Sequence, residues 1–182
     1  MDEALTTRIL AVTREQLVRD GYAGLKLDRV IREAGCGKSA LYRRYPTKAE
    51  LVVAAMLDVV SLGEVPDTGS AVEDLVAHAM YNHELQAQHG TRITALVLFD
   101  AEVFPLAWDR WLSLRHQAAR TILERAIARG ELAEDADCDM IIDTVAGLTL
   151  FRSTVKGRPL TEQHYRSIIS ALLADPPRLS EG

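Results

Sequence analysis

Apolar residues recur at helical spacing along almost the whole of this 182-residue chain. The first predicted helix covers residues 3–20, and its apolar face is formed by Leu5, Ile9, Val12 and Leu17. Thr13 and Gln16 fall where a more apolar stripe is expected, so we expect this helix to pack loosely. The Gly-Tyr-Ala-Gly segment at 21–24 then ends the helix.

Two short helices separated by a glycine-containing turn are predicted between Lys26 and Lys48. The segment LDRVIREA has one apolar face, and Gly35 ends it because glycine takes the left-handed conformation without steric cost. Gly37 is then a tolerable N-cap for a second helix, SALYRRY, which ends before Pro46. A helix, a short turn and a second helix rich in Arg and Tyr form the pattern of a helix-turn-helix, whose second helix enters the DNA major groove.

The rest of the chain is also predicted to be helical. Thr47 and Glu50 form a capping box that opens a strongly apolar helix over residues 47–62, and a loop follows at 63–70. Further helices are predicted at 71–89, 91–104, 105–129, 138–155 and 162–174. No run of alternating apolar and polar residues appears, so the sequence predicts an all-α fold of about nine helices.

The composition is that of an ordinary globular protein, with 48% hydrophobic and 26% charged residues. No apolar run reaches about 18 residues, so the sequence predicts no membrane span. The N-terminus has acidic residues first and lacks a basic region before an apolar core, which argues against a signal peptide. Cys36 and Cys138 are the only cysteines, which indicates a reducing, cytoplasmic environment.

The charge is divided unevenly along the chain, whose net charge is −5. Residues 1–52 carry ten Lys and Arg against seven Asp and Glu, a net charge of +3, whereas residues 53–182 carry eleven against nineteen, a net charge of −8. Such an asymmetry is expected when one domain meets DNA phosphate and the other does not. A chance fluctuation in composition would produce the same division.

No enzyme motif is present in the sequence. Its histidines include no H-E-x-x-H pair, and its glycines form neither a dinucleotide-binding nor a phosphate-binding loop. Asp135, Asp137 and Asp139 alternate, but the glycine and terminal glutamate of a calcium loop are missing, and Asp137 or Asp139 is instead predicted to cap the next helix. We therefore predict no catalytic residue, no metal site and no cofactor.

Four aromatic residues are concentrated within thirteen positions in the middle of the chain. They are Phe99, Phe104, Trp108 and Trp111, and Arg115 follows one turn later. Aromatic walls with few polar groups are typical of a small-molecule site, and an inward Arg115 or Arg152 would select an anionic ligand. Ordinary core packing explains the same concentration, and both interpretations remain open.

The first 55 or so residues resemble the tetracycline-repressor (TetR) family of one-component regulators. The resemblance rests on Gly21-Tyr22, Val30-Ile31-x-x-Ala34-Gly35, Leu41-Tyr42-x-x-Tyr45 and Lys48-x-x-Leu51. Two positions depart from the family pattern: Lys26 stands where Thr is usual, and Gly37 stands where Ser or Thr usually caps the recognition helix.

This resemblance implies a helix-turn-helix DNA-binding domain at 1–52 and an effector-binding and dimerisation domain at 53–182. DNA contacts are implied for Gly37 through its backbone N–H, and for Lys38, Ser39, Tyr42, Arg43 and, with phosphate, Lys48. The helices at 138–155 and 162–174 are implied to form a homodimer interface, although they could instead close the core of one subunit. Gly147 lies within the first of them, where it costs roughly 1 kcal/mol relative to Ala, and a close helix–helix crossing would explain that cost.

These observations predict a homodimeric transcriptional repressor that binds a near-palindromic operator in double-stranded DNA and is released by an unidentified small-molecule effector. One alternative is a DNA-binding dimer without a small-molecule ligand, controlled by a protein partner or constitutive. A second alternative is a helical enzyme or interaction module that merely contains a similar turn.

Overall fold

The computed structural model describes residues 3–60, 63–89, 93, 96 and 99–179, and of residues 86, 88 and 89 only the backbone. The chain folds into α-helices, as the apolar spacing predicts. Within the described residues the only β-type pairing is an isolated bridge between Ala136 and Arg178.

Four helices make up the N-terminal part of the chain: α1 (Glu3–Gly24), α2 (Leu27–Ala34), α3 (Lys38–Arg44) and α4 (Lys48–Leu57). The predicted break at Gly21 is a kink inside α1, where φ is 70° and ψ is 178°. Gly35 caps α2 in the left-handed conformation, with φ of 64°, and its N–H bonds to the carbonyls of Ile31 and Arg32. Glycine is therefore needed at both positions for conformational reasons.

The polar residues in the middle of α1 lie in the core, although the sequence pattern places them where apolar residues are expected. Thr13 and Gln16 are both completely buried. The Thr13 hydroxyl donates to the carbonyl of Ile9 at 2.7 Å, and the Gln16 amide donates to the Glu33 carboxylate on α2 at 3.0 Å. These hydrogen bonds let the two polar side chains replace apolar ones between α1 and α2.

Helix α4 begins with the predicted capping box. The N–H of Glu50 donates to the Thr47 hydroxyl at 3.1 Å, and the N–H of Thr47 donates to the Glu50 carboxylate at 3.3 Å. The helix ends at Leu57 rather than near residue 62 as predicted. At this end Arg14 of α1 donates to the carbonyl of Ala55 at 3.1 Å and pairs with Asp58 at 2.7 Å, so one of the last carbonyls of α4 has a partner outside the helix.

The remaining helices are interrupted by two π-helical turns that the sequence pattern does not reveal. They are α5 (Ala71–His89), α6 (Val103–Ala107), π1 (Trp108–Leu112), α7 (Ser113–Ala128), α8 (Cys138–Leu150), π2 (Phe151–Val155) and α9 (Glu162–Ala174). The single helices predicted at 105–129 and 138–155 therefore each contain a change of helix type. Of the helix predicted at 91–104, residues 91–92, 94–95 and 97–98 lie outside the described part of the chain.

The chain forms two compact units. The first unit combines Met1–Ser61 with Arg92–Leu112, and the second combines Leu62–Thr91 with Ser113–Gly182. The core of the first unit packs α1 to α4 against α6, with Val30, Leu41, Leu51 and Val52 among its most buried side chains. The assignment of separate DNA-binding and effector-binding roles to the parts of the chain remains a prediction.

The core of the second unit contains a chain of polar side chains built around Tyr165 of α9, which is 1% exposed. The Thr149 hydroxyl donates its only proton to the carbonyl of Val145 at 2.7 Å. The Tyr165 hydroxyl lies 3.0 Å from Thr149 Oγ1 and 3.1 Å from Nδ1 of His83, within hydrogen-bonding distance of both. These contacts tie α5, α8 and α9 together.

Candidate nucleic-acid interface and effector site

Helix α3 presents one polar face and is anchored by one buried residue. Leu41 is 1% exposed and belongs to the core of the first unit. Gly37 is the N-cap of α3 in extended geometry, with φ of −78° and ψ of 150°, and no side chain caps its first turn. The first N–H groups of α3 are thus available to an acceptor such as a phosphate oxygen.

The predicted DNA-contacting side chains of α3 lie together on its exposed surface. Lys38, Ser39, Tyr42 and Arg43 are all exposed. They form two adjacent rows at i, i+4 spacing: Lys38 with Tyr42, whose ring centroid is 5.9 Å from the lysine Nζ, and Ser39 with Arg43. No acidic residue occurs in α3, so this surface carries only hydrogen-bonding and positively charged groups.

Arg44, in contrast, is turned back onto its own helix. Its guanidinium donates to the carbonyl of Ala40 at 2.9 Å, and Nε has no accessible surface. Arg44 therefore helps to close the C-terminal end of α3, where the macrodipole favours a cation.

Lys48, the predicted phosphate contact, is the first residue of α4 and lies against an aromatic ring. Its Nζ is 4.4 Å from the centroid of the Tyr22 ring. Burial and the nearby Lys26 lower the pKa of Lys48, while Asp100 and Glu102 oppose that shift.

The structure adds Tyr22 and Glu102 to the surroundings of Lys48. The Tyr22 hydroxyl lies 3.3 Å from Oε2 of Glu102, to which it donates. Burial, followed by the charges of Asp100 and Glu102, raises the pKa of Tyr22 to about 12. The family motif contains Tyr22 but gives no role to it, and no local pattern points to Glu102, which lies 80 residues further along the chain.

The aromatic residues predicted to line an effector site belong to the first unit. Phe104 and Trp108 approach each other with ring centroids 6.0 Å apart, and Trp111 lies in π1. Phe99 is 74% exposed and Trp108 is 46% exposed. Phe104 is 37% exposed, whereas Trp111 is half-buried.

Arg115 lies in the second unit, on α7, close to His78 and Tyr81 of α5. Burial lowers the pKa of Arg115 to about 10, an effect that Tyr81 opposes. Burial, together with the positive charge of Arg115, lowers the pKa of His78 to about 4. At neutral pH the cluster therefore contains a charged guanidinium beside a neutral imidazole.

The described part of the chain offers little support for other kinds of site. No three His, Cys, Asp or Glu side chains in it are grouped so that they could hold a metal ion. Asp137 caps α8, accepting from the N–H of Met140 at 2.9 Å, and Asp139 pairs with His116 and Arg120. None of the described helices is long and apolar enough to cross a membrane.

Two family models match the chain. One, described as bacterial regulatory proteins of the tetR family, matches residues 9–55. The other, described as the tetracyclin repressor-like C-terminal domain, matches residues 65–172. Together they include the described helices from α2 to α8.

Relatives and solved structures agree with these matches. The chain is 32% identical over 172 residues to an uncharacterized HTH-type transcriptional regulator of Mycobacterium tuberculosis, covering 92% of this chain and 85% of the relative. It is also 32% identical over 183 residues to the DNA-binding transcriptional repressor TetR of Mycobacteroides abscessus, covering 94% and 93%.

The fold is similar to that of the TetR family transcription regulator SCO0332, with a TM-score of 0.67 at 23% identity and coverage of 94% of this chain and 98% of that one. It is also similar to that of Salmonella enterica GusR, with a TM-score of 0.62 at 18% identity and coverage of 96% and 98%. Family models match both parts of the chain, relatives are 32% identical to it, and solved structures share its fold. The protein belongs to the TetR family of DNA-binding transcriptional regulators.

Proposed function

We propose that this TetR-family protein is a homodimeric repressor that binds a near-palindromic operator and is released by a small anionic effector. The observation that carries the DNA-binding part is the exposed surface of α3, where Lys38, Ser39, Tyr42 and Arg43 lie together above the buried Leu41. A helix fixed in this way can enter a major groove without losing its own packing.

The side chains of α3 have the chemistry that base reading requires. Arg43 or Lys38 can donate to O6 and N7 of guanine, a contact worth about 1–3 kcal/mol of discrimination against other bases. Ser39 can both donate and accept, and the backbone N–H of Gly37 and the ammonium of Lys48 suit phosphate oxygens. Phosphate contacts fix the register of the protein, and the base contacts then select the sequence.

An exposed stripe along α8 and π2 supports dimerisation. Met140, Phe151 and Val155 are 53%, 46% and 68% exposed, and Gly147 lies between them on an exposed position. A Cβ added to Gly147 would meet nothing within 4 Å, so packing within the chain does not explain the glycine. Close approach of a second copy would explain both the glycine and the exposed apolar side chains.

Helix α9 has a complementary exposed face of small residues. Ser167, Ser170, Ala171 and Ala174 are exposed, while Tyr165 and Ile169 face the core. Small side chains allow two helices to approach closely, and α8 and α9 pack against each other within the second unit. A dimer through α8 and α9 would give four packed helices around a two-fold axis.

Selection of bound fragments from the genomic DNA of the source organism tests the proposed DNA-binding function. We expect the bound sites to contain two inverted half-sites with centres about 34–36 Å apart, because a two-fold dimer places its recognition helices in successive major grooves. Sequencing of the bound fragments measures this directly. Enrichment of no common sequence would contradict an operator-binding role.

The Arg115 cluster supports an anionic effector. An anionic effector would complement the positive charge of Arg115, which lies on α7 close to His78 and Tyr81 of α5. An effector would act by binding more tightly to a dimer whose recognition helices no longer match the two half-sites.

We expect at least one carboxylate or phosphorylated metabolite to raise the thermal stability of the protein, because a ligand that binds only the folded state stabilises it by mass action. The gain is about 2.7 kcal/mol at a ligand concentration a hundred times the dissociation constant. Thermal unfolding across a metabolite panel measures the effect. Arg115→Gln should remove it, whereas Arg158→Gln, which changes an exposed arginine of the second unit, should keep it.

A panel without any stabilising compound would favour the alternative function, a DNA-binding dimer controlled by a protein partner or not at all. If a compound raised the thermal stability of Arg115→Gln as much as that of the unchanged protein, the proposed effector would stand. Arg115 would then not be its contact.

A further inference from the structure

We propose that Tyr22 positions the ammonium of Lys48 for contact with a DNA phosphate, and that Glu102 positions Tyr22. The inference rests on the proposed phosphate contact of Lys48 and assigns it two further residues. All three residues belong to the first unit.

Opposing effects act on the ammonium of Lys48. Burial, the charge of Lys26 and the partial positive charge at the start of α4 disfavour the cation, whereas the charges of Asp100 and Glu102 favour it. A flexible lysine in such a field would turn toward solvent and away from the helix end. The face of the Tyr22 ring, 4.4 Å from Nζ, offers negative electrostatic potential and holds the ammonium at the N-terminus of α4.

The orientation of the Tyr22 ring depends in turn on Glu102. The phenolic hydroxyl donates to Oε2 of Glu102 at 3.3 Å, which fixes the ring at the end opposite its attachment to α1. A carboxylate acceptor also increases the electron density of the phenol, so the ring binds a cation more strongly. Tyr22 therefore links Lys48 to Glu102 through its face and its hydroxyl.

Glu102 is itself held by a local turn. One carboxylate oxygen of Asp100 accepts from the N–H groups of Glu102 and Val103, both at 3.0 Å, and so caps the start of α6. The Asp100 carbonyl also accepts from the N–H of Phe104 at 2.9 Å. The backbone of Glu102 is thus fixed before its side chain reaches Tyr22.

An ionic contact also joins the start of α4 to the segment 100–112 of the first unit. Arg110 of π1 approaches Oε1 of Glu50 at 3.9 Å, and the other carboxylate oxygen of Glu50 completes the capping box with Thr47. The start of α4 is therefore connected to the segment 100–112 at both Lys48 and Glu50. A shift of that segment would change the position of the phosphate-binding ammonium.

Binding to a mixed-sequence DNA duplex of about 30 base pairs, measured by fluorescence anisotropy over a range of salt, tests the inference, because phosphate contacts do not depend on base sequence. The variants are Tyr22→Leu, which removes the ring, and Tyr22→Phe, which removes only the bond to Glu102. Each is made alone and together with Lys48→Ala, and circular dichroism verifies their fold. Glu134→Gln, a change of an exposed acid in the second unit, is the control.

We expect Tyr22→Leu to weaken binding about two- to fivefold and Tyr22→Phe to weaken it by a smaller factor. The slope of log affinity against log salt should fall in Tyr22→Leu toward the value of Lys48→Ala, which lacks one phosphate contact and should lose about 0.9. In the Lys48→Ala background neither tyrosine substitution should have a further effect, because Tyr22 acts through Lys48.

If Tyr22→Leu reduced the affinity by the same factor in the wild-type and Lys48→Ala backgrounds, the positioning role would be overturned. A tyrosine with a purely structural role would give that result. Wild-type affinity in Tyr22→Phe would overturn the part assigned to Glu102. Weaker binding in Lys48→Ala with no change in either tyrosine variant would reject this inference and retain the phosphate contact. Wild-type affinity and salt slope in Lys48→Ala would reject both the phosphate contact of Lys48 and the positioning role of Tyr22.

Discussion

The double variant Tyr42→Ala, Lys48→Ala is expected to lose specific operator binding while keeping its helical fold. Tyr42 is exposed on the recognition helix, and Lys48 lies at the start of α4, so the two side chains approach DNA from different helices. Neither is fully buried, and their loss leaves Leu41 and the rest of the core unchanged. At about 1–3 kcal/mol for each good contact, removal of both should reduce operator affinity by several orders of magnitude.

Anisotropy titration with a selected operator and with a mixed-sequence duplex separates the two contributions. Lys48→Ala alone should weaken both duplexes alike and reduce the salt dependence, because a phosphate contact is independent of sequence. Arg158→Ala, which removes a positive charge from the second unit, should bind as the unchanged protein does. Unchanged operator affinity in the double variant would reject the assigned interface.

A second large effect is expected from Gly147→Glu, which should convert the protein to a monomer. The proposed two-fold axis brings two copies of α8 together near Gly147, where two new carboxylates would face each other in a closely packed interface. The folded subunit should tolerate the change, since a Cβ at this position meets no atom within 4 Å and Glu has a higher helix propensity than Gly.

Loss of the dimer should also weaken operator binding about 10²–10⁴-fold, because the second half-site would no longer be bound within one assembly. Analytical ultracentrifugation at micromolar concentration measures the association state, and anisotropy measures the affinity. Gln117→Glu adds the same charge at an exposed position of α7 and should leave both unchanged. A dimeric Gly147→Glu protein would place the interface elsewhere.

Local signals predicted most of the helix ends because their causes act over a few residues. Gly35 ends α2 because its left-handed conformation is cheap for glycine, and Thr47 with Glu50 opens α4 through two short-range hydrogen bonds. Asp137 and Thr161 likewise begin α8 and α9 where the pattern predicts them. The family resemblance, which rests on the same stretch, led to the fold and to the DNA-binding function.

The sequence-based prediction of helix ends and burial was wrong where contacts with distant residues outweigh the local sequence preference. Helix α4 ends at Leu57, where Arg14 of α1 donates to the carbonyl of Ala55 and pairs with Asp58, and the mainly apolar segment 51–62 does not predict that contact. Thr13 and Gln16 are buried because Ile9 and Glu33 supply their hydrogen-bond partners. The π turns π1 and π2 are each five residues long, which is too short for hydrophobic periodicity to distinguish them from α-helix.

By itself, the sequence determined the all-α architecture, the helix-turn-helix and the exposed polar residues of α3, since periodicity, capping and turn residues are properties of neighbouring positions. Only the tertiary structure decided that Lys48 lies over Tyr22, and that Tyr22 reaches Glu102, 80 residues later in the chain. Such a contact exists only after α1, α4 and α6 have packed together. Their packing depends on the shapes of many buried side chains at once, which a one-dimensional pattern does not contain.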